Sequence, residues 1–288
     1  MQQSFETMRP KTRAEAIDLL TRLGDRAAPF IVQPKPIALR QMGVDFLIDL
    51  SLLGLETIQK DDDGRTHIGS LATLQELIEN PSLNEGVWGI LSQAAGLAAT
   101  PGIRNLSGLW GVLQARSGSP EVILALLVLE AQVVLLSVGD KQRTLTLPEF
   151  YEENRISLPK GELVLEVCLL PVGNGWGGAL ARVARTPRDE AIVAAAAIVE
   201  VKDGKANRVK LALAGANPVP MRIPAVEDML NGKVFDAQNL QAATKIVEEQ
   251  ADPSGDFRGS SEYRRSMAGL VVRRALNEAW KKTTVWEK

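Results

Sequence analysis

Few residues in this chain have the side chains that catalysis or metal binding requires. Its 288 residues include one histidine, His67, and one cysteine, Cys168. A Ser–His–Asp triad or a zinc site would depend on His67, and an iron–sulfur cluster needs several thiolates. We interpret His67 as a structural strand residue. We interpret Cys168 as a buried strand residue, because residues 163–170 around it are mostly apolar. The sequence therefore predicts no metal and no complete active site on this chain.

Nucleotide, calcium and membrane motifs are also missing from the sequence. There is no P-loop and no Gly-x-Gly-x-x-Gly after a strand. Residues 61–64, Asp-Asp-Asp-Gly, lack the later ligands of a calcium loop, so a hairpin turn is predicted there. The net charge of −2 gives no reason to expect nucleic acid as partner. No signal peptide is visible, and Glu130 and Gln132 interrupt the longest apolar run, so we expect a soluble, cytoplasmic protein without membrane insertion.

Helix and strand signals are mixed along the chain rather than alternating regularly. Helix starts are predicted where a threonine is followed three residues later by glutamate, at Thr12, Thr73 and Thr146. Hairpin turns are predicted at Gly139-Asp140 and Asp203-Gly204. Hairpins in place of regular βαβ units indicate an α+β fold.

A glycine-rich segment, residues 173–178, is the best candidate for a linker between two domains. It divides an N-terminal domain, 1–172, from a C-terminal domain, 179–288. With 45% hydrophobic residues, both parts can have a core of their own. The second domain is predicted to end in a helix that begins near Ser260 and points its arginines mostly outward, namely Arg264, Arg265, Arg273 and Arg274.

The order of several motifs resembles one protein family. The N-terminal motifs are Phe5-Glu6 with Arg9-Pro10, residues 67–74, Ile103-Arg104-Asn105, and Gly161-Glu162-Leu163 with Leu170-Pro171. The C-terminal motifs are residues 182–185 with Asp189, residues 215–222, residues 255–264 and residues 271–275. Together they resemble the FAD-binding, or medium, subunit of the molybdenum hydroxylases, of the carbon monoxide, nicotinate and xanthine dehydrogenase type.

This resemblance implies a fold, a cofactor and partners. The expected fold is a PCMH-type FAD-binding domain of two α/β subdomains, followed by a domain with a small antiparallel sheet packed on helices. The expected cofactor is FAD. The expected partners are an iron–sulfur subunit and a molybdopterin subunit of one oxidoreductase complex. The chain would then take the electron-transfer position between the iron–sulfur clusters and an acceptor.

Two loops that would wrap the FAD pyrophosphate differ from the family pattern. The family has roughly Ala-Gly-Gly-Thr-Asp-Leu in the first and Thr-Ile-Gly-Gly-Asn in the second. Here the first loop, residues 29–36, contains Pro34 and Pro36, and the second, residues 103–112, has Trp110 at the first glycine position. Proline has no N–H to donate, and glycine allows the closest backbone approach to an anion. We therefore predict that FAD binding is weakened or lost.

The resemblance also assigns candidate cofactor-binding positions in the two loops and in neighbouring segments. They are Val32, Gln33, Lys35, Gly69, Thr73, Arg104, Asn105, Gly111, Glu121 and Asp189.

Several of these residues also have a purely structural interpretation. Lys35 is then a solvated loop lysine, while Gly69 and Thr73 end a strand and cap a helix. Arg104 is then the ion-pair partner of a carboxylate such as that of Glu121. Asp189 is then the cap of a helix through residues 191–193.

Two alternative functions remain open at this point. One is a flavin-free structural subunit whose surface docks an iron–sulfur partner. The other is a stand-alone binding protein that uses the vacated cleft for a different ligand.

Overall fold

This computed structural model describes residues 5–30, 43–115, 119–153, 161–173, 175–186 and 189–284. Helices and strands are interspersed along these residues. The strands are β1 (Glu6–Met8), β2 (Ala27–Phe30), β3 (Phe46–Asp49), β4 (Ile58–Lys60), β5 (Thr66–Gly69), β6 (Gln132–Ser137), β7 (Lys141–Thr146), β8 (Leu163–Leu169), β9 (Trp176–Val183), β10 (Val193–Lys202), β11 (Lys205–Ala214) and β12 (Met221–Arg222). The helices are α1 (Arg13–Leu23), α2 (Leu74–Glu79), α3 (Gly89–Ala98), α4 (Pro101–Arg104), α5 (Leu109–Ala115), α6 (Pro120–Val128), α7 (Leu147–Glu153), α8 (Pro224–Leu230), α9 (Ala237–Gln250) and α10 (Ser261–Thr284). This mixture confirms the predicted α+β class.

The chain packs as two units, neither of which is continuous in sequence. Unit 1 is drawn from Met1–Leu74, Asn105–Gly111 and Ala131–Leu170. Unit 2 is drawn from Gln75–Arg104, Val112–Glu130 and Pro171–Lys288.

The described residues of unit 1 form two sheets. A small parallel sheet has the strand order β1-β3-β2, and a larger antiparallel sheet has the order β4-β5-β8-β6-β7. The apolar face of α1 packs into a core with residues from β3, β6 and β8, including Ile17, Leu20, Ile48, Leu136 and Leu163.

Local sequence signals set the limits of several elements. The main-chain N–H of Glu15 donates to Thr12 Oγ1 over 3.2 Å at the start of α1, which is one half of a capping box, while the Glu15 carboxylate accepts from the main-chain N–H of Lys11. Both reciprocal bonds of a capping box join Thr146 and Glu149 at the start of α7.

The predicted hairpin turn at 203–204 lies between the paired residues Lys202 and Lys205 and has positive φ at both central residues, as a two-residue type I′ turn needs. Residues 139 and 140 also have positive φ, but they belong to a three-residue loop, 138–140, between the paired residues Ser137 and Lys141. Residues 61–64 also form the predicted turn, between β4 and β5.

Unit 2 contains an antiparallel sheet of order β12-β11-β10-β9, against which the long helix α10 packs. Small side chains make this close packing possible. The run Ala194-Ala195-Ala196-Ala197 of β10 is fully buried. A Cβ atom added to Gly177 of β9 would lie 2.1 Å from the carbonyl oxygen of Ala279 in α10. Gly177 and Gly178 therefore belong to a packed strand rather than to a linker.

The C-terminal helix begins where predicted, but one of its arginines points inward. Arg264 is buried, and its guanidinium donates to the carbonyl oxygens of Ile192 and Gly215 and to the Asp256 carboxylate. Arg265, Arg273 and Arg274 are exposed as expected. Across the described residues, none of the helices combines the length and apolarity needed to cross a membrane.

Candidate functional site

The second predicted flavin loop packs against the segment that follows β5 in unit 1. The main-chain N–H of Leu109 donates to the carbonyl oxygen of Ala72 over 2.9 Å. The main-chain N–H of Trp110 donates to the carbonyl oxygen of Ser70 over 2.7 Å. The first four N–H groups of a helix normally have no intrahelical partner and can face an anion. Two of those groups in α5 are therefore already used by the protein itself.

The Trp110 side chain is buried, with 2% of its surface exposed. Its Nε1 atom has no hydrogen-bond partner among the described residues, and neither has the buried Oγ of Ser70. Such orphaned buried polar atoms are rare in folded proteins. The indole thus fills interior space at the position to which the resemblance assigns the first glycine of the family motif.

Gly69 and Thr73 have structural roles of their own, whereas the backbone does not require glycine at Gly111. A Cβ atom on Gly69 would lie 2.1 Å from the carbonyl oxygen of Leu55, so only glycine fits there. Thr73 forms an isolated β-bridge with Gly108 and immediately precedes α2. Gly111 has no positive φ, and a Cβ atom there would meet open space. Asn105 lies in the same loop, between α4 and the bridge.

Arg104 stabilises its loop by contacts different from those predicted. In unit 2 its Nε donates to Gln75 Oε1 over 3.0 Å, and its Nη1 donates to the carbonyl oxygens of Ala99 over 3.0 Å and Gly96 over 3.2 Å. The proposed ion pair with Glu121 is wrong, because Glu121 pairs with another arginine.

Glu121 forms a buried ion pair with Arg182 in unit 2. Glu121 lies in the first turn of α6, and its Oε1 accepts a hydrogen bond from Arg182 Nη1 of β9 over 2.6 Å. Both side chains are largely buried. The helix residues that follow Glu121 are all apolar, so Arg182 supplies the charge that allows a carboxylate in this position. The carboxylate is therefore neutralised within the chain.

Asp189 is connected to the same arginine through its main chain. Its carbonyl oxygen accepts a hydrogen bond from Arg182 Nη2 over 3.1 Å. Its carboxylate lies 3.3 Å from Arg185 Nε, in a partly exposed ion pair. The predicted helix cap is wrong, because residue 193 begins strand β10 instead of continuing a helix. Arg182 thus brings Glu121 and Asp189 together.

Val32, Gln33 and Lys35 of the first loop lie outside the described residues. Of the remaining candidates, the structure groups Gly69, Thr73, Asn105 and Gly111 in unit 1, and Arg104, Glu121 and Asp189 in unit 2.

His67 lies between two carboxylates on the large sheet of unit 1. Its Nδ1 is 2.7 Å from Glu166 Oε1, and its Nε2 is 3.0 Å from Asp61 Oδ2. Both carboxylates accept, so both ring nitrogens must carry a proton for both bonds to form. The hydrogen bond to Glu166, followed by that to Asp61, raises the pKa of His67 above its ordinary value. His67 is thus structural, as predicted.

We expect His67 to stabilise the protein most at low pH. A raised folded-state pKa gives stability that is complete below the unfolded pKa of about 6.5 and is lost as pH rises through the folded-state value. The advantage of the wild type over His67→Gln in free energy of unfolding should therefore shrink with rising pH. Because His67 is the only histidine, its NMR titration is free of overlap. Glu166→Gln should lower its pKa more than Asp61→Asn, and an unshifted wild-type pKa would contradict this expectation.

Comparison with known proteins identifies the family. Residues 3–172 match the FAD binding domain in molybdopterin dehydrogenase, and residues 179–279 match the CO dehydrogenase flavoprotein C-terminal domain. The chain belongs to the FAD-binding medium-subunit family of the molybdenum hydroxylases.

Individual relatives are similar over most of the chain. The carbon monoxide dehydrogenase medium chain of Hydrogenophaga pseudoflava is 27% identical over 96% of this chain and 97% of its own length. The 6-hydroxypseudooxynicotine dehydrogenase complex subunit alpha of Paenarthrobacter nicotinovorans is 30% identical over 81% of this chain and 79% of its own. A solved carbon monoxide dehydrogenase structure from H. pseudoflava aligns with a TM-score of 0.86 and 28% identity over 96% of this chain and 98% of that one.

Sequence analysis of this medium-subunit chain missed Arg182 as a site residue. Arg182 was noted as part of a motif, but its partner is 61 positions away in the sequence. One signal was available: Glu121 precedes an entirely apolar helical segment, and a buried carboxylate there requires a cation.

Proposed function

We propose that this chain is the medium, flavoprotein-type subunit of a molybdenum hydroxylase-like oxidoreductase complex, with FAD binding weakened or lost. The family assignment supports the subunit role. The observation that supports altered FAD binding is the environment of Trp110, where an indole is buried at a glycine position and its main-chain N–H already donates to Ser70.

The size of the expected effect follows from the hydrogen bonds that a pyrophosphate would lose. A hydrogen bond to a charged group contributes about 1.5–3 kcal/mol. Loss of three such donors would cost about 5–9 kcal/mol, or roughly three to six decades of affinity. A nanomolar FAD site would then become micromolar to millimolar. The indole would weaken binding further by occupying space.

The proposed partners are an iron–sulfur subunit and a molybdopterin subunit, with this chain between the iron–sulfur clusters and an acceptor. Relatives described as medium chains, or as a subunit of a dehydrogenase complex, support membership of such a complex. FAD, where it is bound, would supply redox chemistry. This chain's own residues would hold the surrounding fold: Arg182 neutralises Glu121, and Arg104 fixes the loop after α3. A stand-alone binding protein is not favoured, since these relatives function as subunits.

Purified protein provides the test of the cofactor proposal. In this test the chain is isolated from its native host together with its partners. We expect its absorbance in the flavin band, and the FAD content of its denatured extracts, to correspond to less than one FAD per chain. Titration with FAD should give a micromolar or weaker dissociation constant. The medium chain of H. pseudoflava carbon monoxide dehydrogenase, prepared identically, is the control for flavin loss during handling.

Two results would contradict the proposal in different ways. Stoichiometric FAD with nanomolar affinity would refute weakened binding but leave the subunit role intact. Absence of any iron–sulfur or molybdopterin subunit from the native preparation would refute the role in a complex.

A further inference from the structure

A groove with a volume of about 1250 Å³ lies between α9 and α10 in unit 2. Residues of the two helices line it together with Phe235, and we refer to it as the α9–α10 groove. Its long polar side chains recur every three or four positions along each helix, so they lie on the helix faces that border the groove. These side chains are Gln238, Gln241, Lys245, Arg273, Arg274 and Asn277.

The lining of the α9–α10 groove carries more positive than negative charge. It contains three cations, Lys245, Arg273 and Arg274, and one carboxylate, that of Glu248. The Glu248 carboxylate packs beside α10, since a Cβ atom added to Gly269 would lie 2.7 Å from its Oε1. The chain as a whole has a net charge of −2. The positive charge is therefore a local property of this groove, and the complementary ligand is an anion.

Arg273 and Arg274 are unlike the other arginines described in unit 2. Neither makes a hydrogen bond or an ion pair within the described part of the chain. All the other described arginines of this unit contact a carboxylate or a carbonyl oxygen. A guanidinium donates through a planar fork that matches the two oxygens of a carboxylate. Two neighbouring forks without a partner favour a ligand that carries carboxylates.

We propose that the α9–α10 groove binds an acidic segment of a partner protein. Carboxylates of this segment pair with Arg273 and Arg274. Its main-chain N–H and C=O groups form hydrogen bonds with the carboxamides of Gln238, Gln241 and Asn277.

The groove is long enough for a short extended segment. It runs along α9 from Ala237 to Glu248, a distance of about 16 Å at about 1.5 Å per residue. That length corresponds to roughly five residues in an extended conformation. A smaller groove of about 440 Å³ shares Arg274 and Asn277 with it and reaches Lys281 further along α10. Further residues of the segment could follow this second groove.

The carboxamides favour a peptide segment over a small anion. Each carboxamide has both donors and an acceptor, as a peptide group has, whereas a fully ionised inorganic anion can only accept. Gln238, Gln241 and Arg273 are exposed, so the groove does not enclose its ligand as small-molecule sites do. The ring of Phe235 stacks on Trp280 with their centroids 4.6 Å apart, and it adds a fixed apolar wall for one side chain of the segment.

Binding of a labelled peptide to the full chain tests the charge requirement. The probe is a fluorescein-labelled peptide of two Glu-Glu-Leu-Ser repeats, and its uncharged counterpart has Gln in place of Glu. We expect the acidic probe to bind at least about tenfold more tightly than its counterpart. Arg273→Gln combined with Arg274→Gln should weaken binding at least about tenfold. Lys205→Gln combined with Arg208→Gln removes the same charge from β11, outside the groove, and should bind like the wild type.

A single position allows the charge of the groove to be changed in both directions. Ala242 is an exposed residue of α9 that lines the groove, and glutamate, glutamine and lysine all favour a helix. Relative to Ala242→Gln, we expect Ala242→Lys to bind the acidic probe more tightly and Ala242→Glu to bind it more weakly. Loss of folding could not produce opposite effects from these two substitutions.

Competition distinguishes a peptide site from other anion sites. We expect neither inorganic pyrophosphate nor a single-stranded oligonucleotide, each at the concentration of the probe, to displace it. Displacement by either would overturn the inference. Equal binding of the two probes, or equal affinities of the two double variants, would overturn it as well.

Photo-crosslinking from position 242 in the native preparation identifies the occupant. We expect benzoylphenylalanine at this position to capture a segment of another protein that is rich in aspartate and glutamate, as mass spectrometry can establish. Capture of a segment of this chain, of a basic segment, or of no protein would contradict the inference. None of these measurements depends on FAD, so their failure would leave the proposed function standing.

Discussion

Replacing Arg182 by methionine is expected to destabilise the folded chain by about 3–5 kcal/mol. The substitution leaves the carboxylate of Glu121 buried on α6 without the cation that lies 2.6 Å away in the wild type. It also removes a donor from the carbonyl oxygen of Asp189. Urea denaturation at neutral pH measures this loss as a lower midpoint with an unchanged slope.

Two further variants distinguish the loss of this ion pair from a general disturbance of strand β9. The double variant Arg182→Met with Glu121→Met should recover most of the lost stability, since no unpaired charge remains buried. Arg185→Met removes a partly exposed pair with Asp189 and should change stability by no more than about 1 kcal/mol. Equal stability of Arg182→Met and Arg185→Met would show that the buried pair is not important for folding.

The same ion pair determines whether the Glu121 carboxylate is available to a ligand. The resemblance assigns Glu121 as a candidate cofactor-binding residue. In this chain Arg182 neutralises that carboxylate, and both belong to unit 2. A ligand that needed the free carboxylate would have to break a buried pair first.

Local signals explain which elements could be predicted from the sequence. Thr12 with Glu15, and Asp203 with Gly204, make their decisive contacts within a few residues, so the helix start and the turn follow directly from the sequence. Residues 191–193 were assigned to a helix, and the alanines after them favour helices by intrinsic propensity. The burial of these alanines in β10, between β9 and β11, overrides their helix propensity.

The site was less predictable because its contacts are distant in sequence. Arg264 was expected to point outward, yet it reaches the carbonyl oxygen of Ile192, 72 positions earlier. The domain boundary at 173–178 remains a prediction. The compact units cross it, since Gln75–Arg104 and Val112–Glu130 pack with the C-terminal part of the chain. No local pattern in the sequence indicates such an arrangement.

Replacing Trp110 by glycine is expected to lower stability and raise FAD affinity at the same time. Removal of a buried tryptophan leaves a cavity that costs about 3–5 kcal/mol. It also introduces the glycine that the resemblance predicts at this position and removes the indole from that space. We expect FAD to bind at least about tenfold more tightly than to the wild type, equivalent to about 1.4 kcal/mol or more. Fluorescence titration measures the affinity, and thermal unfolding with and without FAD measures the linked stabilisation.

Trp88 provides the matched control for this substitution, because it is another buried tryptophan and lies in unit 2. Trp88→Gly should be destabilised to a similar extent without any gain in FAD affinity. Trp110→Phe should stay near wild-type stability, since it removes the unpaired indole N–H, and should bind FAD as poorly as the wild type. If Trp110→Gly folds but binds FAD no better than Trp88→Gly, then the indole is not what weakens the site. The proline-containing first loop, where Pro34 and Pro36 have no N–H to donate, would then be the next segment to test.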